Sequence, residues 1–341
     1  MKKLLFLYNP NAGKGKIKSI LSDIVELFVN ADYEVTIHST KCREDAMVVS
    51  RDRGSEYDII VASGGDGTLS EVINGIMHLE KRPYIGFIPA GTTNDFAMNF
   101  KISKFGLSAA QSVVIGKPYA YDIGEFNGKY FHYVASFGLF AAVSYSTDQA
   151  FKNVMGRMAY LLEGAKSLSN VRTYNLKINY DNNIIEDKFI FGMISNANSV
   201  GGFKTITGKD VSLNDGLFEV LLVKKPQNLI ELQMIINSLL LSDPRNNSIY
   251  KFKASNISIE CDEEIEWTLD GEFGGSINKV NIINHKEAIN FLVDESVIVE
   301  NNNKTSEMID VTNDLDIDYY IEEVTDDTFN SITKHIEIDD K

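Results

Sequence analysis

Three glycine-bearing loops each follow an apolar run and precede a stretch with helical spacing. They span residues 9–16 (NPNAGKGK), 64–68 (GGDGT) and 89–95 (PAGTTND). Glycine lets the backbone approach an anion closely, and the N–H groups at the start of a helix attract negative charge. The loops therefore predict a phosphate-binding edge. For residues 9–16 taken alone, a plain turn between strand and helix fits as well, because the glycine and hydroxyl spacing of a P-loop is missing.

The second loop carries a carboxylate, Asp66, among its glycines. A bare carboxylate facing a phosphate would repel it, so its presence predicts a Mg²⁺ ion between the two. The alternative is a tight glycine turn in which Asp66 caps the following helix. The spacing of GGDGT does not fit G-x-G-x-x-G, which disfavours a Rossmann dinucleotide site.

The third loop brings hydroxyl and amide groups to a strand end. Thr92 or Thr93 could bind phosphate or ribose. Asn94 and Asp95 could instead cap the next helix, and for Asp95 capping is the preferred interpretation.

The elements that must hold these loops alternate between strand and helix. Apolar runs predict strands at 3–8, 33–39, 58–63 and 84–89, and helical spacing predicts helices at 17–31, at 44–53 and after each of the later two glycine loops. This pattern is typical of an α/β fold with a doubly wound parallel sheet. Ligands in such sheets bind at the carboxyl ends of the strands, where all three loops fall.

The second half of the chain changes character. Strands are predicted at 131–137, 172–180, 187–195, 218–223, 249–260 and 265–269, with helices only at 153–167 and 228–241. This pattern favours an antiparallel β-sandwich. A last helix or strand at 287–293 is expected to pack back on the first half. The predicted domains are 1–128, 129–280, a returning segment 281–299, and a tail 300–341.

Charge and composition narrow the possible partners. The 341 residues carry a net charge of −15, which disfavours nucleic acid as a partner. Residues 301–341 hold twelve acidic and three basic residues, and we expect a mobile tail without a function of its own.

Cys42 and Cys261 are expected to be reduced, as in the cytoplasm. No apolar run approaches the ~18 residues of a transmembrane helix, so membrane contact should be peripheral, through lysines at 14–18.

Six segments together resemble the bacterial diacylglycerol kinase family, which is related to sphingosine kinases. They are 9–16 (NPNAGKGK), 63–76 (SGGDGTLSEVINGI), 86–97 (GFIPAGTTNDFA), 195–204 (SNANSVGGFK), 215–220 (DGLFEV) and 268–272 (TLDGE). GGDGT alone is shared with NAD kinases and phosphofructokinases. The resemblance implies an N-terminal α/β nucleotide-binding domain of that type, a C-terminal β-sandwich, and an active site between them that uses ATP.

The resemblance also assigns roles to residues. Glu272 would be the general base, and Asp66 would hold the catalytic Mg²⁺ through water with support from Asp122, for which a turn-forming role is the alternative. The residues implied to contact ATP are Asn9, Pro10, Asn11, Ala12, Gly13, Thr40, Gly65, Asp66, Gly67, Thr68, Leu69, Ser70, Glu71 and Thr92.

A second, structural Mg²⁺ is implied beside the DGLF segment. Its ligands would be Asp215 and the backbone carbonyls of Ser212 and Leu217. The chain departs from the family pattern at 205–210 (TITGKD), which is one residue longer than usual. Asp210 is therefore a spare candidate ligand.

The resemblance implies a peripheral protein at the inner membrane face, and possible homodimers. The expected acceptor is the hydroxyl of a diacylglycerol, and a sphingoid base, phosphatidylglycerol or undecaprenol could take its place. Two competing functions lie outside lipid phosphorylation. One is a catalytically silent lipid- or nucleotide-binding protein, which the presence of Asp66 and Glu272 disfavours. The second is an NAD kinase, which TLDGE disfavours.

Overall fold

A computed structural model of the protein describes residues 1–91, 94–138, 171–198, 211–241, 246–299 and 301. Over these residues, thirteen strands form one hydrogen-bonded sheet whose main path runs β11-β10-β9-β7-β12-β13-β4-β3-β1-β2. The strands are β1 Lys2–Tyr8, β2 Tyr33–Ser39, β3 Ile59–Gly64, β4 Tyr84–Pro89, β5 Lys117–Phe126, β6 Lys129–Phe131, β7 Val134–Gly138, β8 Tyr174–Tyr180, β9 Asn183–Ser195, β10 Phe218–Lys224, β11 Ile249–Ala254, β12 Asn256–Leu269 and β13 Glu272–Val293. The helices are α1 Leu21–Asn30, α2 Asp45–Arg53, α3 Asp66–Ile76, α4 Asp95–Asn99, α5 Gly106–Ile115 and α6 Leu229–Leu241.

The N-terminal half is the predicted α/β layer structure. Strands β4, β3, β1 and β2 are parallel neighbours in that order. Leu4 and Phe6 of β1 face one apolar core and Leu5 and Leu7 face the other, because side chains alternate along a strand. Helices α1 and α5 cover the first core, and α2 and α3 cover the second. Strands β1, β3 and β4 are buried over most of their length, which explains the unbroken apolar runs in the sequence.

The helix predicted at 17–31 begins differently in the structure. A 3-10 segment, Ala12–Ile20, precedes α1. Gly13 and Gly15 in this segment have φ angles of +55° and +73°, which a right-handed α-helix does not accommodate. These two glycines keep the α-helix from reaching back into the loop, and the regular helix starts at Leu21.

The C-terminal half is the predicted antiparallel region, but several predicted strand limits were wrong, and the strand predicted at 187–195 begins at Asn183. The strand expected at 131–137 is broken between β6 and β7, because the Asp270 carboxylate accepts the backbone N–H groups of His132, Tyr133 and Val134. The run at 249–260 is split at Ser255 into β11 and β12, and β12 continues through the separately predicted strand at 265–269.

Strand β13 joins the two halves. It pairs with β12 at its start, with β5 along much of its length, and with β4 at its end, where Phe291 lies opposite Ile85. The segment predicted at 287–293 is thus the end of this strand and does return to the first half. A bulge between His285 and Ile289 interrupts the pairing with β5, and Glu287 there has a left-handed φ of +51°.

The described residues form one compact unit. The predicted domain boundaries stay predictions, and the boundary at 280 falls inside β13. The helix predicted at 153–167 and the tail from 302 onward lie outside the described residues. Within the described part of the chain, no helix is long and apolar enough to cross a membrane.

Candidate active site

The three glycine loops meet at the carboxyl edge of the parallel sheet. A Cβ atom on Gly13 would lie 2.1 Å from the carbonyl oxygen of Ala90, and a Cβ on Gly91 would lie 2.6 Å from the Cα of Gly65. The backbone N–H groups of Ala90 and Gly91 both donate to the Gly64 carbonyl, at 2.7 and 3.1 Å. The glycines are therefore needed for loop-to-loop contact as well as for any approach to phosphate.

The predicted nucleotide-contacting residues of the first loop and Thr40 lie at the same edge. The Asn9 N–H donates to Ser63 at the end of β3, and the Thr40 N–H donates to Tyr8 at the end of β1. The Asn9 side chain turns back to accept the Asn11 N–H at 2.9 Å. The loop 9–13 and Thr40 thus flank the GGDGT loop.

Asp66 is the first residue of α3, not its cap. The N-cap position is Gly65, and no side chain caps the helix. One carboxylate oxygen of Asp66 accepts the backbone N–H of Phe96 in α4 at 3.3 Å. The capping alternative was therefore wrong, and the carboxylate spans from the second loop toward the helix that follows the third.

Asn94, in the third loop, does not cap α4 with its side chain. It folds back on its own loop, where its side-chain oxygen accepts the Gly91 N–H and its amide nitrogen donates to the Gly91 carbonyl. Thr92 and Thr93 lie outside the described residues, so their predicted roles stay predictions.

Helix α3 carries the rest of the predicted nucleotide contacts. Thr68 is buried, and its hydroxyl oxygen lies where a Cβ on Gly64 would clash at 2.3 Å. Leu69 is part of the apolar core, so only its backbone could reach a ligand. The Glu71 carboxylate accepts the N–H groups of Glu44 and Ala46 at the start of α2. Burial raises the pKa of Glu71, and the nearby Glu272 adds to the effect.

Glu272 lies directly against the GGDGT loop. A Cβ on Gly67 would be 3.0 Å from Glu272 Oε1, although the two residues are about two hundred positions apart in the chain. Glu272 is the first residue of β13, after the turn formed by Asp270 and Gly271. Its second carboxylate oxygen, Oε2, is paired with Arg43 Nη2 at 2.5 Å. The structure thus brings the predicted base to the predicted phosphate loop.

A buried histidine–aspartate pair lies under this turn. His132 Nδ1 is 2.8 Å from Asp270 Oδ2, and both side chains are almost fully buried. Burial opposes ionisation of Asp270, yet His132 and the backbone donors of His132 and Val134 hold the pKa of the carboxyl below its ordinary value. Burial likewise opposes protonation of His132, but Asp270 holds the pKa of the imidazole above its ordinary value.

Asp122 sits away from any turn, within β5, and is fully buried. The turn-forming alternative was therefore wrong. Its two carboxylate oxygens accept the N–H groups of Gly216 and Glu287, each at 2.7 Å. Burial raises the pKa of Asp122 to about 6, against the effect of these two donors. The contacts tie Asp122 to the DGLF segment and to the bulge of β13, and its role beside Asp66 stays a prediction.

Two sets of residues were expected to hold Mg²⁺. The partly buried Asp66 carboxylate fits, since Mg²⁺ usually takes one or two carboxylates and completes its shell with phosphate and water. At the second set, Asp215 Oδ1 accepts the Leu217 N–H at 3.0 Å, and Oδ2 lies 3.3 Å from Lys253 Nζ. An ion there would have to displace this lysine. No group of three metal-binding side chains occurs among the described residues, and Asp210 lies outside them.

Sequence reasoning missed three residues at this site. Asp270 was within the quoted TLDGE segment, so its motif was the available signal. His132 and Arg43 carry no such signal, because each becomes informative only through a partner far along the chain.

Both halves of the chain match profiles of known domain families. The diacylglycerol kinase catalytic domain profile matches residues 3–126, and the YegS C-terminal NAD kinase beta sandwich-like domain profile matches residues 133–287. The diacylglycerol kinase of Bacillus subtilis is 36% identical over 290 residues, which cover 84% of this chain and 95% of that protein. The diacylglycerol kinase of Staphylococcus epidermidis strain RP62A is 32% identical over 315 residues, covering 92% and 99%.

Solved structures extend the similarity to the fold. A crystal structure of a diacylglycerol kinase from Bacillus anthracis strain Sterne superposes with a TM-score of 0.67 at 27% identity, over 87% of this chain and 98% of that one. Two domain profiles in order, curated relatives along nearly their whole length, and a matching fold lead to one conclusion. The chain belongs to the bacterial diacylglycerol kinase family and is an ATP-dependent lipid kinase.

Proposed function

We propose that the protein transfers the γ-phosphate of ATP to the free hydroxyl of a diacylglycerol, giving phosphatidate, with Glu272 as general base. The observation that carries the proposal is the position of Glu272 Oε1, 3.0 Å from where a Cβ on Gly67 would lie. A base at this place can take the proton of a hydroxyl that attacks a phosphate held by the GGDGT loop.

The chain's own residues supply the rest of the reaction. The loop N–H groups and the glycines at 13, 65 and 67 would bind the triphosphate and align it, which is most of what phosphoryl transfer requires. Asp66 would hold Mg²⁺, which when bound neutralises phosphate charge. The acceptor oxygen forms a bond to the γ-phosphorus, the bond to the bridging oxygen breaks, ADP leaves with that electron pair, and the proton passes to Glu272.

A lipid panel tests the acceptor. Mixed vesicles containing diacylglycerol, a sphingoid base, phosphatidylglycerol or undecaprenol would be incubated with γ-labelled ATP and the products separated by thin-layer chromatography. We expect label in phosphatidate. Label in another lipid would reassign the acceptor, and no labelled lipid with intact ATP binding would favour a silent binding protein.

Two variants test the residue roles. Glu272→Gln should keep ATP affinity and lose roughly 10²- to 10⁴-fold in kcat. Full turnover would show that another group is the base. Asp66→Asn should shift the Mg²⁺ concentration needed for half-maximal activity upward. A titration identical to the wild type's would remove Asp66 from the metal's surroundings.

The proposed acceptor resides in a bilayer, so the enzyme must bind the inner face of the membrane peripherally. Lys16 and Lys18 are exposed on the 3-10 segment that follows the first glycine loop. Replacing both with Gln should weaken sedimentation with anionic vesicles, since each lysine near such a surface contributes about 1 kcal/mol. Lys2 and Lys3 provide the matched control pair. If both pairs of substitutions weakened vesicle sedimentation equally, a membrane-binding surface specific to Lys16 and Lys18 would be contradicted. The homodimer stays a prediction. Sedimentation equilibrium would test it by measuring the oligomeric state of the protein.

A further inference from the structure

Arg43 joins two elements that the mechanism needs side by side. It lies in the connection between β2 and α2, shortly after Thr40, and its guanidinium pairs with Glu272 at the start of β13. The two residues are 229 positions apart. The pair is open to solvent, with 76% of the Arg43 side chain and 56% of the Glu272 side chain exposed. An exposed ion pair of this kind contributes only ~0–1 kcal/mol to stability, so stability does not account for the arrangement.

The backbone around Arg43 is fixed while its side chain reaches out. Glu71, one turn along α3 from Gly67, accepts the N–H groups of Glu44 and Ala46 at 2.9 and 3.2 Å. Asp45 accepts the Lys41 N–H at 3.0 Å and contacts His38. The connection is thus tied to the helix that follows the GGDGT loop. The position of Arg43 relative to that loop is set by the fold.

The acidic side chains at the GGDGT loop favour a cation beside them. Asp66, Glu71 and Glu272 are three acids in or against the GGDGT loop and the helix that follows it. A triphosphate adds further negative charge. Arginine has five N–H donors in a planar fork, and one Nη contacts Glu272. Within the described part of the chain, Glu272 is the acceptor that Arg43 contacts, so its remaining donors are available to phosphate oxygens.

We propose that Arg43 is a further catalytic residue, whose guanidinium binds the transferring phosphoryl group beside Glu272. The inference rests on the proposed function. Arg43 exchanges no proton and remains charged. It neutralises charge on the phosphoryl oxygens while the acceptor oxygen bonds to phosphorus and the bond to ADP breaks. Through its contact with Glu272 it also holds the base next to the group under attack.

Arg43→Gln and Arg43→Lys test this, with Arg172→Gln as the matched control. Arg172 forms a comparable exposed pair with Glu263 at 3.0 Å in the C-terminal half. We expect Arg43→Gln to lower kcat by roughly 10²- to 10³-fold, as loss of one preorganised donor does. Arg43→Lys should lose less turnover than Arg43→Gln, because lysine keeps the positive charge but lacks the planar, forked donors of the guanidinium group. Arg172→Gln should stay within about twofold of wild type.

Calorimetry separates a phosphoryl contact from an effect on Glu272 alone. Arg43→Gln should weaken ATP binding about tenfold and leave ADP binding unchanged, equivalent to ~1.4 kcal/mol. It should also lower the residual turnover of Glu272→Gln further. The proposal is overturned if Arg43→Gln matches wild type in kcat and ATP affinity, or if its effect vanishes in the Glu272→Gln background. If the wild-type protein binds ATP but labels no lipid, the proposed function fails instead, and the ATP-against-ADP comparison still decides the role of Arg43.

Discussion

His132 Nδ1 and Asp270 Oδ2 lie 2.8 Å apart beneath the turn that presents Glu272, and both side chains are almost completely withdrawn from water. Asp270 also accepts the N–H groups of His132, Tyr133 and Val134 and donates its own N–H to the Val134 carbonyl. It adopts a left-handed φ of +51°. The turn carrying the proposed base is therefore fixed to the strand region before β7 by several bonds to one carboxylate.

Breaking the pair of His132 and Asp270 should lower the free energy of unfolding. Asp270→Asn removes the charge beside His132, and His132→Gln removes the imidazole beside Asp270; breaking a buried pair of this kind typically costs about 3–5 kcal/mol. Urea unfolding would measure the loss. Variants within about 1 kcal/mol of wild type would contradict the pair's importance.

The pair should also make stability depend on pH. The pKa of His132 is raised above 6.5 in the folded protein, so its contribution is complete below pH 6.5 and is lost as pH rises through the folded-state pKa. The pKa of Asp270 is lowered below 3.8, so its contribution is present above pH 3.8 and is lost as pH falls through the folded-state pKa. The stability gap between wild type and Asp270→Asn should be larger near pH 5 than near pH 9. A gap independent of pH would contradict this.

Gly13 and Gly15 offer a matched test of loop contact. Both have left-handed φ angles, but a Cβ on Gly13 would meet the Ala90 carbonyl oxygen at 2.1 Å, whereas one on Gly15 meets nothing closer than 3.4 Å. Gly15→Ala should cost about 1–2 kcal/mol from backbone strain alone. Gly13→Ala should cost roughly 1–3 kcal/mol more and weaken ATP binding, because the first and third loops must separate. Unfolding and calorimetry would show this, and equal losses would argue against the contact.

Phe273 should contact the lipid acceptor. It follows Glu272 directly, and it is 68% exposed although it is large and apolar. Phe273→Ser should raise KM for vesicle-borne diacylglycerol by roughly tenfold or more, equivalent to the 1.5–3 kcal/mol of burying such a side chain, with KM for ATP unchanged. Ile184→Ser, at a site 65% exposed on β9, is the control and should change neither constant. An effect on ATP alone would point to a different role.

Glu71 should act mainly through α2. Its carboxylate accepts two N–H groups at the start of that helix, which have no partner within the helix. Glu71→Ala should cost about 0.5–2 kcal/mol and speed hydrogen exchange at the Ala46 amide, as loss of a helix cap does. Glu71→Gln, which keeps a side-chain oxygen acceptor, should retain part of the protection. Unchanged exchange in Glu71→Ala would show that different groups satisfy these donors.

The sequence was most informative for short strands that are bounded by turn residues. Strands β2 and β4 have the predicted limits, because their apolar residues are bounded by turn residues. Strand β13 could not be predicted at its full length of 22 residues, since its middle carries polar residues and a bulge at Glu287. The break between β6 and β7 depends on Asp270, more than a hundred residues away, and no local pattern contains it.

The residues of the candidate site also differ in how far the sequence predicts them. Glycine loops and Glu272 were recognisable because their chemistry is local or carried by a motif. The role of Asp122 beside Asp66 stays a prediction, and the sequence did not reveal that its carboxylate accepts backbone N–H groups of the DGLF segment and β13. Arg43 is one charged loop residue among many, and only its contact with Glu272 distinguishes it.

Strand β13 starts at Glu272 and reaches β4 of the nucleotide-binding half at Phe291. A continuous strand paired in both halves is expected to restrict hinge motion between them. The bulge at Glu287 is where the ladder is already interrupted, and its N–H is held by Asp122. An opening between the two halves that admits a lipid would therefore be expected to bend β13 at this bulge, where the contact with Asp122 would limit the motion.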